Sequence, residues 1–312
     1  MIKLKPEANF TLIEAPIYQG QKHFGVSLGP VFIKECLLNQ GHTFESRTVS
    51  GLQSQVYINM KIYESLCHET AAARRHDKPV LVVGGDHSLG LGSVQGLLHV
   101  NPDLKVIWVD AHGDINTRES SITGSFHGMP VAFLLGLDRM ADQPWINTYL
   151  KPENLIYFGV RDLDPEEKRF LQIHNIRNYS VETINQRGLS EVIAEIAANV
   201  QGCEVHFSID SDAFDPSVAP STGVRVNAGL SFESVMQLVN EVVQVSTVKS
   251  CDYVELNPQI MNQPGDVERT AQLGIDLFNV ILQNDLQRRE NINGFNDRQR
   301  HPEKPDLLHS TF

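Results

Sequence analysis

Short apolar runs rich in β-branched residues recur along the chain, and most are cut off abruptly by a cluster of ionisable side chains. The runs are Phe10 to Ile13, Val80 to Val83, Val106 to Val109, Leu155 to Val160, Val205 to Ile209 and Tyr253 to Leu256. Their apolarity is continuous rather than alternating, which implies burial on both faces, as in a mainly parallel sheet covered by helices. Between the runs, 55–75 and 189–200 carry apolar residues at spacings of three and four. The stretch 232–245 does the same behind Ser231, with Glu233 and Ser234 close by. The expected fold is α/β, a three-layer αβα arrangement on a mainly parallel central sheet.

The clusters that end the runs are Gly84-Gly-Asp-His87, Asp110-Ala-His-Gly-Asp114, Arg161-Asp-Leu-Asp164, Asp210-Ser-Asp212 and Glu255-Leu-Asn257. In open parallel sheets, ligands gather outside the carboxyl ends of the strands, so these clusters are expected to converge on one crevice. A domain boundary within 84–257 would split that site, and residues 1–286 are read as a single α/β domain. From Gln287 to Phe312 apolar periodicity is lost, and this polar tail is expected to be a surface extension, mobile or docked on a neighbouring subunit.

Charge and cysteine usage narrow the functional classes. The formal net charge of −12, from 38 acidic and 26 basic residues, argues against a nucleic acid or an anionic membrane as partner and favours a small cationic substrate. It stays negative with two divalent cations bound. Cys36, Cys67, Cys203 and Cys251 form no Cys-x-x-Cys pair, so neither a zinc knuckle nor a redox motif is read, only small buried thiols. No apolar leader and no run of about 20 apolar residues is present, and a soluble cytoplasmic protein is expected.

The chemistry is carried by Asp110, His112 and Asp114, which alternate with Ala111 and Gly113. In an extended strand end the three ligand side chains project to one side while the small residues leave room behind. Asp210 and Asp212 repeat that spacing from another strand, and His87 ends a third. Each motif alone is common as a turn or cap; three together, all ending apolar strands, form a metal-ligand set. Four carboxylates brought close would repel and raise one another's pKa unless cations neutralise them. Two divalent ions cancel the four charges. Hard oxygens with imidazoles suit Mn²⁺ or a related first-row ion, and the lack of thiolates disfavours structural zinc. A pair of ions roughly 3.5 to 4 Å apart can hold a bridging water. Lowering its pKa from about 15.7 to near 7 corresponds to roughly 12 kcal/mol of preferential hydroxide stabilisation.

At these residues the sequence resembles the arginases of the ureohydrolase family. The matching stretches are Val83-Gly-Gly-Asp-His-Ser88, Trp108-Val-Asp-Ala-His-Gly-Asp-Ile-Asn-Thr117, Gly124-Ser-Phe-His-Gly-Met-Pro130, Ser208-Ile-Asp-Ser-Asp-Ala-Phe-Asp-Pro216 and Val254-Glu-Leu-Asn-Pro258. The resemblance implies two Mn²⁺ per subunit, with Co²⁺ as an alternative. One would be held by His87, Asp110, Asp114 and Asp210, the other by His112, Asp110, Asp210 and Asp212, with Asp110 and Asp210 bridging. It implies hydrolysis of L-arginine to L-ornithine and urea by a metal-bridging hydroxide. In that scheme Asp114 takes the hydroxide's proton, His127 relays a proton to the leaving amine or from bulk water, and Glu255 pairs with the guanidinium. It also implies a homo-oligomer, a trimer or hexamer.

For the substrate's α-carboxylate and α-amine, Asn116 matches the family's carboxylate-binding asparagine, Thr123 stands where a serine is usual, and Asp164 matches the aspartate that receives the ammonium. Thr222 matches a hydroxyl near the guanidinium. Ser125 departs from the pattern: arginases usually carry asparagine there, so a bridging water would have to complete the contact. Arg161 and Glu167 read as ordinary surface or core-edge charges, and His206, on the same strand face as Asp210, as a buried structural histidine. Agmatine or another guanidino acid is the competing substrate, with Asn116 and Asp164 weighing against agmatine. Formimidoylglutamate hydrolysis fits the first motif less well. A non-catalytic regulatory protein would not require His127 and Glu255. A dinuclear phosphoesterase would need basic phosphate-binding residues, which these motifs lack.

Overall fold

The computed structural model describes residues 8–54 and 57–300, with side chains described as far as residue 291. Eight strands form one parallel sheet: β1 (Phe10–Ala15), β2 (Phe44–Thr48), β3 (Val80–Gly84), β4 (Lys105–Val109), β5 (Leu155–Phe158), β6 (Arg177–Tyr179), β7 (Glu204–Asp210) and β8 (Thr247–Val254). Their spatial order is β2-β1-β3-β8-β7-β4-β5-β6. The helices are α1 (Gly29–Asn39), α2 (Met60–Arg74), α3 (Gly90–Leu98), α4 (Pro130–Leu134), α5 (Pro165–Ile173), α6 (Val181–Arg187), α7 (Leu189–Val200), α8 (Phe232–Val245) and α9 (Asp266–Arg300).

Side-chain alternation along the strands builds two cores. Leu81, Val83, Ile107, Val109, Phe207 and Ile209 point to the face covered by α1, α7, α8 and α9. Val80, Val82, Val106, Trp108, Leu155 and Tyr157 point to the face covered by α2, α3 and α4. This is the expected three-layer fold, and burial on both faces explains why the central strands are apolar throughout. On the second face β7 and β8 depart from that rule, presenting His206, Ser208, Ser250 and Asp252, all buried.

Several boundaries differ from the sequence expectation. The helix expected from residue 55 begins at Met60, because Asn59 caps it by accepting the Lys61 N–H at 3.2 Å. The strand expected at 253–256 begins at Thr247 and ends at Val254, where Glu255 turns into the left-handed region (φ +66°). The run 155–160 stops as a strand at Phe158, ahead of Gly159 at φ +101°. The helices expected at 189–200 and 232–245 are α7 and α8, and Ser231 caps α8 by accepting from Ser234. Helix α9 continues past Gln287, and Arg288 donates to the Val243 carbonyl (2.8 Å) and the Thr247 hydroxyl (3.1 Å). The last residues of the polar tail, 301–312, lie outside the described residues. Among the described residues no helix is long and apolar enough to cross a membrane.

β3 and β4 follow each other in sequence but stand apart in the sheet, with β8 and β7 between them. That separation opens the crevice at the carboxyl ends of the four central strands, and each of the four delivers site residues.

Candidate active site

His87 sits in a single helical turn after β3, buried, with its ring stacked on Trp108 (centroids 4.0 Å apart, 10° between planes). Its Nδ1 lies 2.9 Å from Asp110 Oδ2, 3.2 Å from Asp114 Oδ2 and 3.2 Å from Asp210 Oδ2. Its Nε2 is 2.9 Å from the Ser208 hydroxyl. His112 Nδ1 lies 3.4 Å from Asp110 Oδ1 and 3.2 Å from Asp212 Oδ2. Potential ligand atoms thus fall into two compact groups, His87 with Asp110 and Asp210, and Asp110 with His112 and Asp212. Asp110 belongs to both, one oxygen toward each imidazole, as a bridging carboxylate must. Asp210 belongs to the first group only, short of the bridging position the resemblance implies for it, and its Oδ1 accepts from the backbone N–H of Asp212 at 2.7 Å.

The electrostatics of these groups match the charge argument. Burial, reinforced by Asp212 and Asp110, pushes the Asp210 carboxyl well above its usual range. Burial also raises Asp212, and burial with the Asp110 charge lifts Asp114 to about 7. Asp110 goes the other way: two adjacent imidazoles outweigh its burial and hold it low. The carboxylates in turn overcome the burial of both imidazoles and raise them. Taken as protein groups alone, the cluster recruits protons where it wants cations. Asp114 Oδ2 is buried and faces the His87 ring at 3.2 Å, with no well-formed hydrogen bond among the described residues, an acceptor held out of water at a cost that a cation would relieve. Oxygen and imidazole donors without thiolate fit two hard divalent ions of the manganese class.

Two of the four left-handed non-glycine residues among the described residues lie here. Asp114 (φ +51°) and Glu255 (φ +66°) are left-handed non-glycine residues, each costing of order 1–3 kcal/mol that the surrounding packing must offset. Glu255 is tied down from three sides. Its Oε1 accepts from the His87 backbone N–H (3.0 Å) and faces His127 Nδ1 (3.1 Å), and Gln21 Nε2 donates to Oε2. Burial alone would lower the His127 pKa, yet Glu255, with Asp86 and Asp114, pushes it up to about 9.

A cavity of about 290 Å³ opens over the cluster. Of the residues expected from sequence, it is lined by His112, Asp114, Asn116, Thr123, Ser125, His127, Asp164, Asp210 and Asp212. Asn116 Nδ2 donates to Asp164 Oδ2 at 3.0 Å, so the two groups expected to receive the ends of an amino acid are adjacent. His87 and Asp110 are buried beneath. Glu255 and Thr222 do not line the cavity: Glu255 is turned to its three partners, and Thr222 is bridged to Leu256 with its Oγ1 buried and without a hydrogen-bond partner among the described residues.

Three groups exceed the sequence reading. Glu167 is buried against the cavity, where burial lifts its carboxyl to about 7. Arg161 is half-buried and donates to the carbonyls of Gly159, Asp212, Ala213, Phe214, Val226 and Asn227, at 2.7 Å for Asp212. It therefore braces the backbone that carries a metal-ligand candidate. The segment Gln21 to His23 also lines the cavity. Gly20 anchors it, donating to Asp86 Oδ2 (2.8 Å) and accepting from the His127 N–H (3.2 Å). No ionisable cluster marks it in the sequence. His206 is the structural histidine expected, buried between the Ser250 hydroxyl (2.9 Å) and Asp252 (3.2 Å).

Comparison with known proteins gives concordant results. The model of the arginase family matches residues 8–283. The human protein named "Arginase-2, mitochondrial" is 32% identical over 320 residues, covering 95% of this chain and 90% of the relative. The solved arginase of Bacillus subtilis is 30% identical, with a TM-score of 0.78 over 88% of this chain and 98% of that one. That of Bacillus caldovelox is 29% identical, with a TM-score of 0.79 over the same shares.

Proposed function

The chain belongs to the arginase family of hydrolases, and from that premise we propose that it cleaves the guanidinium group of L-arginine, giving L-ornithine and urea. The observation that carries the substrate choice is the Asn116–Asp164 pair, 3.0 Å apart, in the same cavity as the ligand cluster. A diamine-type guanidine has no α-carboxylate to use an amide here, whereas an amino acid has both ends to place. We assign His87, Asp110, His112, Asp114, Asp210 and Asp212 to two Mn²⁺ ions, with Co²⁺ as the alternative. When bound, such ions supply Lewis acidity that makes hydroxide available from water near neutral pH.

The protein's own groups do the rest. Asp114, whose carboxyl lines the cavity and is lifted to about 7 by burial and the Asp110 charge, receives the proton given up as the C–O bond forms at the guanidinium carbon. His127, held 3.1 Å from Glu255 and kept protonated by it, donates to the leaving nitrogen as the C–N bond breaks, so that the amine of L-ornithine departs. It is recharged from solvent, since its side chain is 21% exposed. Glu255 is assigned the counter-charge for the guanidinium, acting from beneath the cavity through His127, and Thr222 a hydroxyl contact that requires its buried Oγ1 to turn toward the cavity. Asn116, Thr123 and Ser125 face the carboxylate, and Asp164 the ammonium. We read residues 1–286 as one catalytic domain that assembles as a homo-oligomer, trimer or hexamer.

The test is urea release by the Mn²⁺-loaded and Co²⁺-loaded protein from arginine, agmatine and other guanidino compounds. Urea from arginine in preference to agmatine is expected. Urea from agmatine alone overturns the substrate, and no urea from any of them with metals bound overturns the activity.

A further inference from the structure

Lys22 is the one lysine or arginine among the described residues lining the cavity. Around it the lining is acidic, with Asp162, Asp164 and Glu167 contributed by the segment that enters α5. Lys22 makes no ion pair or hydrogen bond among the described residues, and its side chain is exposed. Its backbone is nonetheless held. Gly20 is bonded to Asp86 and to the His127 amide, and the Gln21 amide donates to Glu255. A Cβ at position 20 would stand 2.7 Å from Asp86 Oδ1 and 2.9 Å from the His127 nitrogen, so only glycine permits this docking.

Two of the donors proposed for the substrate's carboxylate are already engaged. Asn116 has one N–H on Asp164, and its carbonyl already accepts from Ser120 at 2.8 Å. Ser125 has only a short hydroxyl, and its backbone N–H donates to Thr123 Oγ1 at 3.1 Å. A carboxylate entering a cavity this rich in acids needs a formal positive charge nearby.

Building on the proposed arginine hydrolysis, we propose that Lys22 is a specificity-determining residue: its ammonium receives the substrate's α-carboxylate. The cavity then holds a zwitterion between a cation on the 20–23 segment and Asp164. A guanidine of the same length that lacks the carboxylate brings only positive charge and is repelled by Lys22.

The experiment is steady-state urea release from arginine and agmatine by the Mn²⁺-loaded wild type, Lys22→Ala and Lys22→Arg, each at low and high salt. Lys22→Ala is expected to raise the KM for arginine about tenfold, the scale of a partly screened charged hydrogen bond, with kcat within about twofold. Its KM should lose most of the salt dependence seen in the wild type. Its kcat/KM for agmatine should hold or rise, and Lys22→Arg should restore the arginine KM. A Lys22→Ala protein with unchanged arginine KM and salt dependence overturns the inference while leaving arginine hydrolysis standing. A wild type that hydrolyses agmatine but not arginine overturns both.

Discussion

Replacing Glu167 with Gln removes a buried negative charge without changing side-chain size, and its effect on stability has a sign that depends on pH. Glu167 is 4% exposed, accepting from the Asp164 N–H at 2.9 Å and the Ile115 N–H at 3.4 Å. Burial outweighs these donors, the Asp114 charge adds to it, and the pKa rises from an ordinary 4.5 to about 7. A carboxyl with a raised folded-state pKa leaves stability intact below the unfolded pKa and withdraws it as pH rises through the folded one. At 1.36 kcal/mol per unit, the raised pKa of Glu167 costs about 3 kcal/mol at pH 8, where the folded group is ionised, and about 1 kcal/mol at pH 5, where it is kept neutral. Gln escapes that cost but turns an NH₂ toward a backbone N–H, a penalty of about 1–2 kcal/mol at any pH. Between pH 5 and pH 8 the stability of the variant relative to wild type should therefore shift by about 2 kcal/mol in the variant's favour. It should be less stable than wild type at pH 5 and equal or more stable at pH 8. Urea unfolding of both proteins after treatment with a chelator measures this, and the coupling of Glu167 to Asp114 is part of the shift that is read. An offset that is the same at the two pH values refutes the reasoning.

The remaining predictions concern the groups around the proposed metal ligands. Ser208, which meets His87 Nε2 at 2.9 Å, is backed at 3.3 Å by Asp252, a buried carboxylate that also accepts from Ser93 at 2.5 Å. Ser208→Ala should lower Mn²⁺ affinity by about 10- to 100-fold, the usual cost of losing a partner of a ligating imidazole, measured by competition with a chelator. Gly20→Ala should destabilise the chain by about 1–3 kcal/mol and lower kcat, read by thermal unfolding and urea release, because its methyl would displace the His127 backbone. His127→Asn should cut kcat by about 100-fold while metal content and KM hold, read by urea release and metal analysis.

Legibility in the sequence follows burial and pairing. β3, β4 and β7 are apolar because both faces are covered, and their ends announce themselves by the ligands they carry. The edge strands β2 (Phe44-Glu-Ser-Arg-Thr48) and β6 (Arg177-Asn-Tyr179) face solvent and leave no apolar run. α3 is buried along its whole length and is glycine-rich, so it shows no stripe. The start of β8 hides behind Lys249, a polar residue in a buried strand whose ammonium is held by Asp285 at 2.5 Å and Asp77 at 2.9 Å. In the site, the candidate ligands were readable as short motifs, and the structure brings five of them, His87, Asp110, His112, Asp210 and Asp212, into two compact groups. Arg161 and the segment ending in Lys22 were not, because their roles rest on contacts with residues far away in the chain.

The central claim is that six side chains on three strand ends hold two divalent cations. Mn²⁺ titration of the chelator-treated protein, followed by the spin resonance of free ion and by metal analysis after gel filtration, tests it directly. The account predicts two ions per chain in the wild type and loss of both in Asp110→Asn, since Asp110 joins the two ligand groups. A wild type that binds one ion or none, or an Asp110→Asn protein that retains two, would contradict it.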